Sequence, residues 1–318
     1  MPKKISRRSF IKSSATLGAA TVLGAGSLAH FVDGAVSSAF AADAVDICAV
    51  KGSMPFIATQ KAIEKIGGID KYITKNSVVG VLANAVRNTK GANVNPDTLL
   101  AVIDYCYMAG AKIVRLIRAV PHDYWTFGTV TRNKEYEEML KSITSSGGDF
   151  VPTKIEGVIM KEAHYESDML ECDHFINVGI AKHHTGTHFT GTLKNMMGAC
   201  PHNPTNRFCH MGHGTDPNGF YEDVNFLSQC IADLNTVRTP DFCVMDATTF
   251  LLSNGPFGPG DTKSANTVVA GVNPVSIDAY CTRFIDRTPD EIAMIGFAAK
   301  HKIGTDDLTK QKILELTV

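Results

Sequence analysis

The sequence predicts an α/β fold: a mostly parallel sheet flanked by helices, built as one domain or as two intimately joined lobes. Two patterns predict it. Short apolar runs of strand length alternate along the chain with longer segments of helical period. Two helical segments also open on an Asn or Thr cap followed by proline, and glycine closes the first of them.

The elements follow in order. Residues 78–82 (VVGVL) form a short apolar run suited to a buried strand. Asn95-Pro96-Asp97 opens a helix, with Asn as the cap and Pro in the first turn. Leu99, Val102, Ile103 and Cys106 mark its inner face, and Gly110 ends it. Residues 112–117 (KIVRLI) are the next strand, completing a strand–helix–strand unit of the parallel type. A helix is expected over 134–143, before Gly147-Gly148, then strands over 155–160 and 175–180. Residues 222–237 place Val224, Leu227, Ile231 and Leu234 on one helical face. Strands over 242–245 and 267–270 and a helix over 274–284 follow. Thr288 with Glu291 three residues later is a capping box that opens another helix.

The N-terminus carries an address. Ser6-Arg7-Arg8-Ser9-Phe10-Ile11-Lys12 is a twin-arginine export signal, and Ala39-Phe40-Ala41 is a small-x-small cleavage site. The weakly apolar stretch between them is short for a membrane span and is broken by His30 and Asp33. Residues 1–41 therefore read as a signal peptide and 42–318 as the exported α/β domain. This implies a periplasmic or extracytoplasmic location, with the twin-arginine translocase as a partner during export. Membrane attachment would come only through an uncleaved signal. The signal holds Lys3, Lys4, Arg7, Arg8 and Lys12 against Asp33, a net of +4, so the −1 of the whole chain becomes −5 on removal. A mildly acidic body argues against nucleic acid as a partner.

The chemistry concentrates between His183 and His213. This stretch holds six of the eleven histidines and two of the eight cysteines. Imidazole and thiol bind transition metals and move protons near neutral pH. Cys200, His202, Cys209, His210 and His213 flank the turn-forming Asn203-Pro204-Thr205-Asn206, so up to five ligands sit on two short arms. Zinc, iron or copper would accept them; the alternatives are a Cys200–Cys209 disulfide or neither. There is no C-x-x-C, which argues against an iron–sulfur cluster. Cys106, Cys230, Cys243 and Cys281 lie in apolar periodic segments and read as buried thiols.

Small residues lead into Lys194 and Asn195. Thr190, Gly191 and Thr192 at a helix start would leave amides open to an anion, with Lys194 adding charge. Asp246 ends an apolar strand, where ligand crevices of open α/β sheets form. Asp278 stands early in a helix, where it either serves a site or balances the helix dipole. Lys194, Asp246, His184 and His188 are therefore the candidate catalytic residues. Asn195, Thr190, Thr192, Gly255 and Gly258 are the candidates for substrate or anion binding.

Three motifs carry a resemblance. Residues 176–198 (INVGIAKHHTGTHFTGTLKNMMG), the stretch from Val244-Met245-Asp246 to Gly258-Pro259-Gly260, and Ala270 to Ala279 (AGVNPVSIDA) occur in that order. Together they resemble the domain-of-unknown-function 362 family over about residues 75–285. The chain departs from that pattern at Leu82-Ala83, at His183-His184, and in lacking the ferredoxin-like segment that many members carry. The resemblance implies an α/β fold and a shared site and names no reaction. With the export signal and the thiol–imidazole stretch, the expectation is a metal-assisted redox enzyme acting on a small anionic molecule or with a redox partner protein. The alternatives are a non-catalytic metal-binding or respiratory accessory protein, and a metal-dependent hydrolase.

Overall fold

The computed structural model describes residues 44–86, 89–211 and 223–318. Fourteen strands are present among them. β1 (Ile47–Lys51), β2 (Val78–Ala83), β3 (Ile113–Leu116) and β4 (Thr144–Ser145) come first. β5 (Phe150–Lys154) and β6 (Glu162–Glu166) form a hairpin. β7 (His174–Ile180) precedes a second hairpin, β8 (Lys182–His184) with β9 (His188–Thr190). β10 (Phe242–Ala247) is followed by the short pair β11 (Phe250–Leu251) and β12 (Thr262–Lys263), then β13 (Thr267–Gly271) and β14 (Ile313–Thr317).

Eight strands make one sheet in the order β14-β1-β13-β10-β7-β2-β3-β4. All run in the same direction except β13, which is antiparallel to both neighbours. The expected mostly parallel sheet is what forms. Its central strands are almost continuously buried because helices cover both faces, which is why they read as unbroken apolar runs. After β2 the chain moves to β3, and after β7 it moves the other way to β10. Right-handed crossovers in opposite directions place their helices on opposite faces. Helices Pro55–Lys65 and Pro96–Met108 make one layer. Thr192–Asn195, Val224–Leu234, Pro274–Cys281 and Ala293–Lys300 make the other.

Most elements form where the sequence places them. Asn95 caps the helix Pro96–Met108 by accepting from Asp97 N at 2.9 Å, and Gly110 adopts φ 96° just beyond its end. The 134–143 helix splits into a 3-10 turn (Lys134–Tyr136) and a short α-helix (Glu137–Ser142). The helix expected over 222–237 is observed over Val224–Leu234, capped by Asp223. The 274–284 helix becomes 3-10 after Cys281. The Thr288/Glu291 capping box is present but opens a 3-10 turn, Pro289–Glu291, ahead of helix Ala293–Lys300.

One strand is misplaced. Residues 155–160 are the connection of the β5–β6 hairpin, not a strand. The buried carboxylate of Asp233 takes the amides of Val158, Ile159 and Met160 at 2.7–3.0 Å, so no neighbouring strand can. β1, β14 and helix Pro55–Lys65 were not anticipated. No helix among the described residues is long and apolar enough to cross a membrane.

Candidate functional site

The loops leaving the carboxyl ends of β2 and β7 meet where the chain's winding reverses, the position at which open α/β sheets bind ligands. Asn84 follows β2, and Lys182 follows β7 after Ala181. Between them lies a cavity of about 320 Å³. Its wall includes Arg118, Lys182, His184, Thr190, Lys194 and Asn195, with His202 and His210 at one side. Among the described residues no Asp or Glu lines it.

An amide relay builds the floor. Asn177 on β7 and Asn195 are buried side by side. Asn195 Nδ2 donates to Asn177 Oδ1 at 2.8 Å and to Leu82 O at 3.0 Å, tying β7 to β2. Asn84 Nδ2 donates to Asn195 Oδ1 at 3.1 Å, which turns the Asn84 carbonyl oxygen toward Lys182 Nζ at 3.2 Å. Lys182 also donates to Pro256 O at 3.0 Å and to Ala92 O. Asn195 is thus a brace beneath the cavity.

The two lysines are held differently. Lys182 is buried, and burial first, then the charge of Lys194, pushes its amine down to about 7. Lys194 is half-buried on the cavity wall, with Met197 Sδ at 3.8 Å from its Nζ, and burial pushes it down to about 8. Burial also lowers Arg118. Among the described residues none of these three cations makes an ion pair.

His184 is buried and its Nδ1 accepts from Gly186 N at 2.9 Å and Thr187 N at 3.2 Å. Two amide donors on Nδ1 place the ring proton on Nε2. Burial, then Lys194, holds the ring well below the usual histidine range, so it is a neutral donor near pH 7. Thr190 adds a buried hydroxyl with no hydrogen-bond partner among the described residues. His210 Nδ1 lies 2.7 Å from Asn206 O, and burial lowers that ring to about 4.

Other expected residues fall elsewhere. The amides of Thr192 and Leu193 are occupied by the Asp278 carboxylate at 2.7 and 3.0 Å, so this helix start carries its own anion. Asp278 acts on that neighbouring helix; its own helix is capped by Asn273. A side chain on Gly191 would collide with Asp278, which explains the glycine. Asp246 lines a different cavity of about 400 Å³, beside Asn95, Tyr124 and Thr248. Its oxygens accept from Asn95 N at 2.5 Å and Thr248 N at 2.7 Å, and burial pushes it up to about 6. His188 pairs with His184 across the β8–β9 hairpin at φ 63° and is not on the cavity wall. Gly255 packs on His183 O, where any side chain would clash, and Gly258 takes φ 65°; they shape the loop that carries Pro256 and Phe257 to the site.

The thiols do not join the imidazoles. All eight cysteines are free and buried, Cys200 and Cys209 included. Cys209 Sγ sits 3.6 Å from Met160 Sδ in the core. Among the described residues no three His, Cys, Asp or Glu side chains group closely enough to hold a metal ion; His213 lies outside the described residues. Lys182 and Arg118 were not anticipated. The signal for Lys182 was a lone lysine directly after the buried apolar run NVGIA.

The domain-of-unknown-function family model DUF362 matches residues 79–283, which include Asn84, Lys182, Lys194 and Asp278. A twin-arginine translocation pathway signal matches residues 4–24, so the protein is exported across the membrane. No curated protein matches the chain.

Proposed function

The chain belongs to the DUF362 family, and we propose that its exported domain binds a small anionic molecule in the cavity between β2 and β7 and acts on it by proton transfer and electrostatics. One observation carries this reading: a wall with Arg118, Lys182 and Lys194 and, among the described residues, no carboxylate. Lys182 is buried, Lys194 half-buried and Arg118 exposed; holding a buried cation without a counter-ion costs several kcal/mol, and an anionic guest supplies the missing charge. The partnerless Thr190 hydroxyl and the Nε2–H of His184 add two donors suited to a carboxylate or phosphate oxygen. Four buried acids, Asp97, Asp233, Asp246 and Asp278, accept from backbone amides elsewhere and are not on this wall.

The metal-assisted redox, hydrolase and accessory-protein readings draw on thiols and imidazoles together. Here the imidazoles of His184, His202 and His210 face the cavity while the thiols pack into the core, so these readings stand second.

The test is calorimetry on the mature exported protein with orthophosphate, sulfate and pyruvate, and with uncharged pyruvamide as control. Saturable binding of at least one anion, weakened at least about tenfold by Lys194→Met as expected for a charge-assisted contact, supports the proposal. Equal affinity for pyruvate and pyruvamide, or no binding of any anion, overturns it.

A further inference from the structure

We propose that Lys194 captures its ligand covalently: its amine condenses with the carbonyl of a bound 2-oxo acid to form an imine. This rests on the anion-binding reading above and names the substrate class of that site.

The argument begins with how the two amines are held. Lys182 Nζ is surrounded by three carbonyl oxygens, those of Asn84, Ala92 and Pro256. The three directions about its nitrogen all face these oxygens, so charged or neutral it presents no lone pair to the cavity. Lys194 has the opposite setting. Its closest polar contact is the thioether of Met197, a weak acceptor, and its Nζ stands on the cavity wall. A lysine that is desolvated beside a second cation is a recurrent arrangement for amine nucleophiles. Burial favours the neutral amine that the step needs, lowering Lys194 to about 8.

The rest of the wall fits a 2-oxo acid. Arg118 offers a planar fork for the carboxylate. Thr190 offers a hydroxyl that nothing else among the described residues engages. His184, fixed with its proton on Nε2, is a neutral donor able to polarise the carbonyl oxygen. A volume of about 320 Å³ suits a small acid.

The step balances without an oxidant or reductant. The Lys194 nitrogen adds to C2 as the carbonyl π bond breaks. The nitrogen then gives up both hydrogens and the carbon its oxygen; these leave as one water, and the C=N bond remains.

The experiment is reductive trapping. The mature exported protein is incubated with pyruvate and sodium cyanoborohydride at pH 7.5, then examined by intact mass and peptide mapping. The expected result is one adduct per chain, on Lys194, forming at least about tenfold faster than on surface lysines because more of its amine is neutral; Lys182, whose nitrogen faces three carbonyl oxygens, should stay unmodified. Lys194→Arg, which keeps the charge and cannot form an imine, should bind pyruvate in calorimetry and give no adduct. Pyruvate binding by wild type without trapping overturns the imine and leaves the anion site standing. An adduct on Lys182, or spread evenly over surface lysines, also overturns it. Failure of pyruvate and of orthophosphate to bind removes both readings.

Discussion

Replacing Asp278 by alanine should destabilise the folded protein by about 2–4 kcal/mol. The carboxylate is completely buried and accepts from Thr192 N at 2.7 Å and Leu193 N at 3.0 Å. These are the first two amides of the short helix that carries Lys194. The Thr192 hydroxyl also donates to Asp278, but it has Pro274 O at 3.2 Å as a second acceptor. Truncation therefore strands two buried N–H groups, each costing about 1–3 kcal/mol. Part of this is returned, because burial already opposes the ionised carboxylate and pushes it up to about 7. The net of about 2–4 kcal/mol is large for one side chain. Urea unfolding of the mature chain at pH 7, followed by circular dichroism, measures it. Asp278→Asn keeps one acceptor and turns an amide N–H2 toward Leu193 N, so it should fall between. Lys194 sits one residue after Leu193, so orthophosphate affinity should fall as well. An alanine variant with the unfolding midpoint of wild type would refute the idea that this carboxylate holds the helix.

Four further outcomes are expected. The folded state binds the protons of Asp278 and Asp246 more tightly than the unfolded chain, to about 7 and about 6. Their stabilising contribution is whole below about pH 4 and is lost as pH rises to 6–7. Denaturation midpoints at pH 4.5 and 7.5 should therefore differ less for Asp278→Asn than for wild type, and parallel profiles would count against this. Affinity for sulfate, whose charge is constant in this range, should fall as pH rises through 7 to 8 and the two lysines lose their protons; a flat titration by calorimetry would contradict it. Thr190→Val should leave the fold intact or stabilise it by up to ~1 kcal/mol by removing an unsatisfied hydroxyl, while weakening anion binding; a stability loss with unchanged affinity would reverse that assignment. Elemental analysis should give the same metal content for wild type and a Cys200→Ser, Cys209→Ser double variant, since both thiols are packed in the core; a drop would return the thiols to the site.

Much of the sheet was legible because its central strands are buried on both faces. VVGVL and FINVGI show as apolar runs bounded by polar residues, and Asn95 and Asn273 cap their helices as Asn-Pro predicts. The 155–160 segment misled because its apolar residues serve a loop. What stops it pairing is an aspartate more than seventy residues away, which no local pattern announces. The site was half legible. His184, Thr190, Lys194 and Asn195 lie close in sequence and stay close in space. Lys182 lies two residues before His184 on β8, but its role depends on carbonyl oxygens far away in the chain, and Arg118 follows β3 and is brought in only by the strand order. Asp246 was assigned to the same crevice because it ends a neighbouring strand, yet its side chain is spent on Asn95 N and Thr248 N and borders another cavity. The Cys/His stretch was read by composition, but a helical turn sends Cys209 inward to sulfur neighbours while His210 faces the cavity.

The grip on Lys182 has a consequence for how the molecule matures. Its acceptors come from stretches 74 to 98 residues away in the chain. Such distant partners meet late, after the intervening segments have lost most of their freedom. No short piece of the polypeptide can therefore rehearse the cavity in advance. The cavity is a property of the finished chain alone.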